Sequence, residues 1–146
     1  MIAVAAVYHD PGHNPGPVAG CVLFLEGLKV GNSPVGLVRT TYNANMLDLE
    51  LGAFLVLRAC EHLKEHRQSN VPIFVSSLGL VMAWHAHQHL APRHKGTSIM
   101  AHAWEAMAPV AATLHWCHPL LDSRAMERAE LEAVRRFETE RGKEPS

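Results

Sequence analysis

Residues Ile2 to Tyr8 read IAVAAVY, an unbroken apolar run that turns abruptly polar at HDPGHNPGPVAG, His9 to Gly20. Side chains of a strand alternate between its two faces, so a run without a polar position must be buried on both. That confines the chain to a sheet covered on each side by other elements. The strand begins almost at residue one, which points to a module cut from, or descended from, a larger polyprotein.

Val18 to Leu25 makes a second strand, Glu26-Gly27 a turn and Val35 to Arg39 a third strand. Connections this short imply an antiparallel meander. The period then changes. Leu47, Leu51, Phe54, Leu55, Ala59 and Leu63 recur at helical spacing with Glu61, Lys64 and Arg67 opposite, an amphipathic helix from Leu47 to Leu63. Val71 to Val75 follows as a strand that a crossover sets parallel and adjacent to the first.

A second helix runs from Leu78 to His87, ahead of the polar loop LAPRHKG. Ser98 caps a third helix to Met107, which Pro109 stops. Ala111 to Cys117 is the fifth strand, and Ser123 caps a last helix to Arg141. The expected fold is α/β: a five-stranded mixed sheet, three antiparallel strands then two parallel, flanked by helices. Residues 1–141 form one domain, and GKEPS, 142–146, is a disordered tail.

Composition agrees with one globular domain, since 48% of the 146 residues are hydrophobic and 18% charged. Thirteen Lys and Arg against fourteen Asp and Glu give a formal net charge of -1, so no overall basic field announces a nucleic-acid or membrane partner. The eleven histidines add positive charge at mildly acidic pH. Cys21, Cys60 and Cys117 lack CxxC spacing, which suits reduced, buried thiols in a cytoplasmic or nuclear protein. MIAVAAVYHD lacks the basic start of a signal peptide, and VPIFVSSLGLVMAW is too short to span a membrane.

Two helical acids depart from the amphipathic rule. Glu50 shares a partly apolar face with Ala53, Phe54 and Leu57; Glu130 lies in step with Met126, Ala133 and Phe137. Either glutamate reaches solvent at the rim of its stripe, or it is buried with a partner, because an ionised carboxylate buried alone is too costly. With Asp10 at the end of the first strand, all three acids are candidates to meet. Converging carboxylates need a divalent cation or a proton between them.

Along nearly its whole length the chain resembles ribonuclease H. The resemblance is carried by Asp10 ahead of HNPGPVAG, by TTYNANMLDLELGAFLVL with Glu50 opening the first helix, and by LHWCHPLLDSRAMERAELEA, in which Glu130 stands for a final aspartate. It implies a catalytic set of Asp10, Glu50 and Glu130 holding two Mg²⁺ (or Mn²⁺) ions about 4 Å apart on the scissile phosphate of an RNA-DNA hybrid. The family's remaining aspartate ends the fourth strand. This chain has IFVSSLGLV, with Ser76 in that place. A neutral hydroxyl is a weak ligand for a hard cation, so hydrolysis is expected to be weakened or lost. Asp48 is turned about 200° from Glu50 and is a poor substitute, while Asp122 is a weak rescue. The family's mobile histidine falls at Leu120, with His118 two residues earlier.

The resemblance also implies substrate contacts from Asn14, Asn43 and Asn45, and from Arg93 and Lys95 in the loop after the second helix. His85, His87 and His89 read as a solvated helix end, because i and i+2 positions on a helix point apart; were the chain extended there they would share one face, the alternative being a zinc or nickel site. Trp84, Trp104 and Trp116 read as core. Three functions follow: a nucleic-acid-binding domain with degenerate hydrolysis, an active Mg²⁺-dependent hybrid endonuclease, or a structural or protein-interaction domain that keeps only the fold.

Overall fold

The computed structural model describes residues 1–25, 35–88, 98–116 and 123–143. In chain order these form β1 (Ile2–His9), β2 (Gly16–Leu25), β3 (Val35–Met46), α1 (Asp48–Glu65), β4 (Pro72–Val75), α2 (Leu78–Gln88), α3 (Ile99–Met107), β5 (Thr113–Trp116) and α4 (Ser123–Arg141). The sheet order is β3-β2-β1-β4-β5. β1 pairs antiparallel with β2, and β2 with β3, whereas β1–β4 and β4–β5 are parallel. The mixed sheet expected from the sequence is therefore present, with β1 at its centre.

Alternation along β1 explains why its sequence is apolar throughout. Ala3 and Ala5 enter the core on the side of α1, α2 and α3, while Ile2, Val4 and Ala6 enter the core beneath α4. β2 divides likewise, with Val18, Val22 and Phe24 on the first side and Cys21, Leu23 and Leu25 on the second. Gly20 lets α1 approach closely: a Cβ there would lie 2.6 Å from Leu55 Cδ1. On the opposite face Ala125, Ala129 and Ala133 are fully buried, so small side chains bring α4 down onto the sheet. Each face also holds a buried free thiol, Cys60 on α1 and Cys21 on β2. Burial pushes both up to about 12, helped by the negative charge of Glu61 near Cys60 and of Glu132 near Cys21.

Several boundaries differ from the sequence expectations. β3 continues seven residues beyond Arg39 because Thr40, Thr41, Tyr42 and Asn43 go on pairing with β2. β5 starts at Thr113 rather than Ala111, because Ala111, at φ 49°, belongs to the turn that closes α3. There Ala112 N–H donates to Met107 O, a left-handed helix ending. Ser98 caps α3 as expected, its Oγ accepting from Ala101 N–H at 3.2 Å. Of the tryptophans, Trp104 is buried and Trp84 half-buried, but Trp116 ends an edge strand and is 44% exposed, so it is not core.

Glu26-Gly27, His89, the loop with Arg93 and Lys95, and 117–122 with His118, Leu120 and Asp122 lie outside the described residues, as do 144–146. Among the described residues no helix is long and apolar enough to cross a membrane.

Candidate functional site

The polar end of β1 gathers side chains from three parts of the chain. A turn follows the strand, with His13 N–H donating to Asp10 O at 3.1 Å and Gly12 at φ 86°. This is a conformation that glycine adopts without strain. From that turn Asn14 reaches the start of α1. Asn14 Nδ2 donates to Asp48 Oδ1 at 2.9 Å, and Asp48 N–H donates to Asn14 Oδ1 at 3.0 Å. Leu47, at the N-cap position, makes no side-chain cap. Asn14 therefore caps α1 from 34 residues away and fixes the helix start beside the end of β1.

His9 lies between the two elements. Its Nδ1 sits 3.2 Å from Asp10 O, and a carbonyl can only accept, so this nitrogen carries the proton. His9 Nε2 faces Asp48 Oδ2 at 3.7 Å, a contact that becomes an ion pair when the ring is protonated. The third contribution comes from the last turn of α4. Arg141 Nη1 donates to Asp10 Oδ2 at 3.1 Å, and His13 Nδ1 lies 3.6 Å from the same oxygen.

Packing explains why that arginine arrives there. Phe137, one turn earlier, meets the rings of Tyr8 and Tyr42 edge-on at 5.0 and 6.2 Å. The Arg141 guanidinium carbon then lies 5.7 Å from the Phe137 ring centre. Arg136 ties the same helix to β3 through Thr40 Oγ1 at 3.1 Å. Aromatic contacts on β1 and β3 thus set the end of α4 over Asp10.

The expected acids are not brought together. Glu50 is half-buried in the first turns of α1, near the site end of the helix. Glu130 is exposed, contrary to its expected place on the apolar stripe. The buried row is Ala125, Ala129, Ala133 and Phe137, and an i, i+4 row drifts about 40° per step around the helix. Glu130 is in step with Phe137 but about 100° away from its own neighbour Ala129. It also precedes Arg141 by about 16 Å of helix rise, so α4 carries it away from Asp10. Among the described residues no group of three or more His, Cys, Asp and Glu is arranged to hold a metal ion.

Ser76 sits at the end of the parallel seam. Its N–H donates to Ala5 O at 3.1 Å, and its Oγ accepts from Val7 N–H at 3.2 Å. The hydroxyl thereby satisfies a β1 amide just where the β4 ladder ends. Asn43 and Asn45 lie within β3, ahead of α1. Asn43 Oδ1 accepts from Asn45 N–H at 2.9 Å at a register shift of the β2–β3 ladder, and Asn45 is exposed. His85 and His87 both fall on α2, two positions apart, and point away from each other.

None of His9, His13 and Arg141 has a role in the sequence expectations, and Asp48 enters them only as a poor substitute for Glu50. HDPGHN does signal a turn rich in side chains that bond backbone, and Asp48 does carry the charge favoured in a first helical turn. Nothing local announces Arg141, which meets Asp10 across 131 residues.

No protein-family model matches the sequence, and no curated protein sequence matches it either. Solved structures do match. One is ribonuclease H1 from the halophilic archaeon Halobacterium salinarum, with a TM-score of 0.62, 12% identity, and 91% of this chain and 94% of that one covered. A second is LC11 ribonuclease H1, solved in complex with an RNA/DNA hybrid, with a TM-score of 0.61, 15% identity and coverage of 92% and 97%. A third is prototype foamy virus protease-reverse transcriptase, with a TM-score of 0.64, 10% identity, and 92% of this chain but 20% of that longer one covered. Strand order, helix placement and these neighbours agree: the chain has the ribonuclease H-like fold.

Proposed function

We propose that the chain is a ribonuclease H-like domain that binds nucleic acid, an RNA-DNA hybrid being the first candidate, and whose hydrolysis is weakened or lost. The observation that carries the second part is the state of Asp10. A carboxylate that bridges two divalent ions must offer its oxygens to them, yet Asp10 Oδ2 is held by Arg141 at 3.1 Å. The guanidinium is a permanent positive charge and repels a cation approaching that oxygen. Ser76 adds no charge, and its Oγ already accepts from Val7. Glu130 is exposed on a distant turn. This donor set does not fit the Mg²⁺ or Mn²⁺ pair that the resemblance implies.

Nucleic-acid binding rests on the shared fold, since both LC11 ribonuclease H1 and the foamy viral protease-reverse transcriptase were solved with RNA/DNA hybrids. Local groups suit that role as well. Arg141, His13 and the exposed Asn45 offer donors at the surface, and such groups contact phosphate and sugar. With a formal net charge of -1, binding is expected to be modest and salt-sensitive.

The test is titration of labelled hybrid at two salt concentrations, with and without Mg²⁺ or Mn²⁺, alongside Ser76→Asp. The aspartate can accept the same Val7 bond, so the variant is expected to fold. Metal-independent binding that weakens with salt is the expected result. Cleavage gained only by Ser76→Asp would place the loss of hydrolysis on Ser76 rather than on the Arg141–Asp10 pair. Absence of binding at moderate salt overturns the nucleic-acid reading and leaves a domain that keeps only the fold.

A further inference from the structure

A pair of imidazoles stands at the C-terminal end of α1, His62 in the last turn and His66 at the C-cap, remote from the cluster at the end of β1. The helix is 18 residues long, which separates its two ends by about 27 Å. His62 and His66 lie at the far end, four positions and so about one turn apart, and such residues share a face. Their ring centroids are 4.0 Å apart with 30° between the planes. The inner ring, His62, lies tilted by 34° against Phe24 of β2 with centroids 4.2 Å apart, whereas His66 is exposed.

One hydrogen bond sets the chemistry of the outer ring. His66 Nδ1 lies 2.9 Å from His62 O, and because a carbonyl only accepts, Nδ1 is the donor. Nε2 of the neutral ring then keeps its lone pair. Metal-binding histidines are commonly held in this way, with the ring nitrogen remote from the ion donating to a backbone oxygen. The pair also sits where the last carbonyls of the helix leave partial negative charge, which favours a cation.

We propose that His62 and His66 form a two-histidine site for a first-row transition cation that favours imidazole, such as Ni²⁺, Cu²⁺ or Zn²⁺. With metal-nitrogen bonds of about 2.0–2.1 Å, the two ligating nitrogens must approach to about 3 Å. The exposed His66 ring reaches this by splaying out of the stack, while Phe24 holds His62. Since no third protein ligand is arranged there among the described residues, water completes the coordination. A hard cation such as Mg²⁺ gains little from two imidazoles, so the site is distinct in kind from a carboxylate centre.

The test uses Ni²⁺ alone, titrated into the chelator-stripped full chain and followed by paramagnetic broadening of amide resonances. The expected result is early broadening around residues 62–66. His66→Gln, at an exposed position, abolishes it, while His13→Gln and His87→Gln leave it unchanged. Broadening of these amides that persists in His66→Gln overturns the site. So does broadening centred only on the histidines near β1 or on α2.

Discussion

α1 and α4 flank the sheet on opposite faces, yet they meet the end of β1 in opposite senses. α1 begins there and delivers a first-turn acid, Asp48, to Asn14 and His9. α4 finishes there and delivers a last-turn base, Arg141, to Asp10. Each charge suits its helix dipole, an anion at an N-terminus and a cation at a C-terminus. The lesson is that a helix offers a site the chemistry of whichever end arrives. A carboxylate placed midway along α4, as Glu130 is, cannot serve a site that this helix reaches only with its last turn.

The two helix–sheet interfaces can be compared through their thiols, where the largest effect is expected. Both Cys21 and Cys60 are pushed from 9.0 up to about 12, so at pH 8 each should alkylate about a thousandfold more slowly than when unfolded. Mass spectrometry resolved by residue checks this. A Cys21 much faster than Cys60 would show that α4 covers the sheet less tightly than α1.

Next in size is the packing beneath α1. Gly20→Val places a side chain against Leu55, which is itself 1% exposed, and should cost about 1–3 kcal/mol in urea denaturation. A neutral result would mean that α1 rides higher than its contacts imply. Asn14→Ala removes the cap on α1 and the partner of Asp48, for a loss of about 1–2 kcal/mol. Its signature is faster amide exchange in the first turn of α1, with α4 unchanged.

The smallest effect is expected at the other helix. Arg141→Ala removes an ion pair whose arginine side chain is 58% exposed, so stability should change by less than about 1 kcal/mol. A larger loss would make this contact, rather than Phe137, the main tie of the last turn.

The central strand was the most legible part of the fold, because burial on both faces forces an unbroken apolar run. β3 extends past Arg39 although TTYNANM is polar, because threonine and tyrosine favour strands and pairing with β2 carries them. Asp10 was recognisable from its place after β1, and Ser76 from its place after β4. Glu130 misled because its spacing to Phe137 is helical, while the buried row winds around the helix toward that residue. Whether α4 starts or ends at Asp10 is a matter of topology, which local spacing does not encode.

We propose that the chain's own cation, Arg141, closes the end of β1, so that hydrolysis there is weakened to background or lost. Single-turnover incubation of excess protein with labelled RNA-DNA hybrid in Mn²⁺, wild type beside Asp10→Asn, tests it most directly. The predicted result is the same background-level signal from both. Cleavage by the wild type that Asp10→Asn abolishes would contradict the claim.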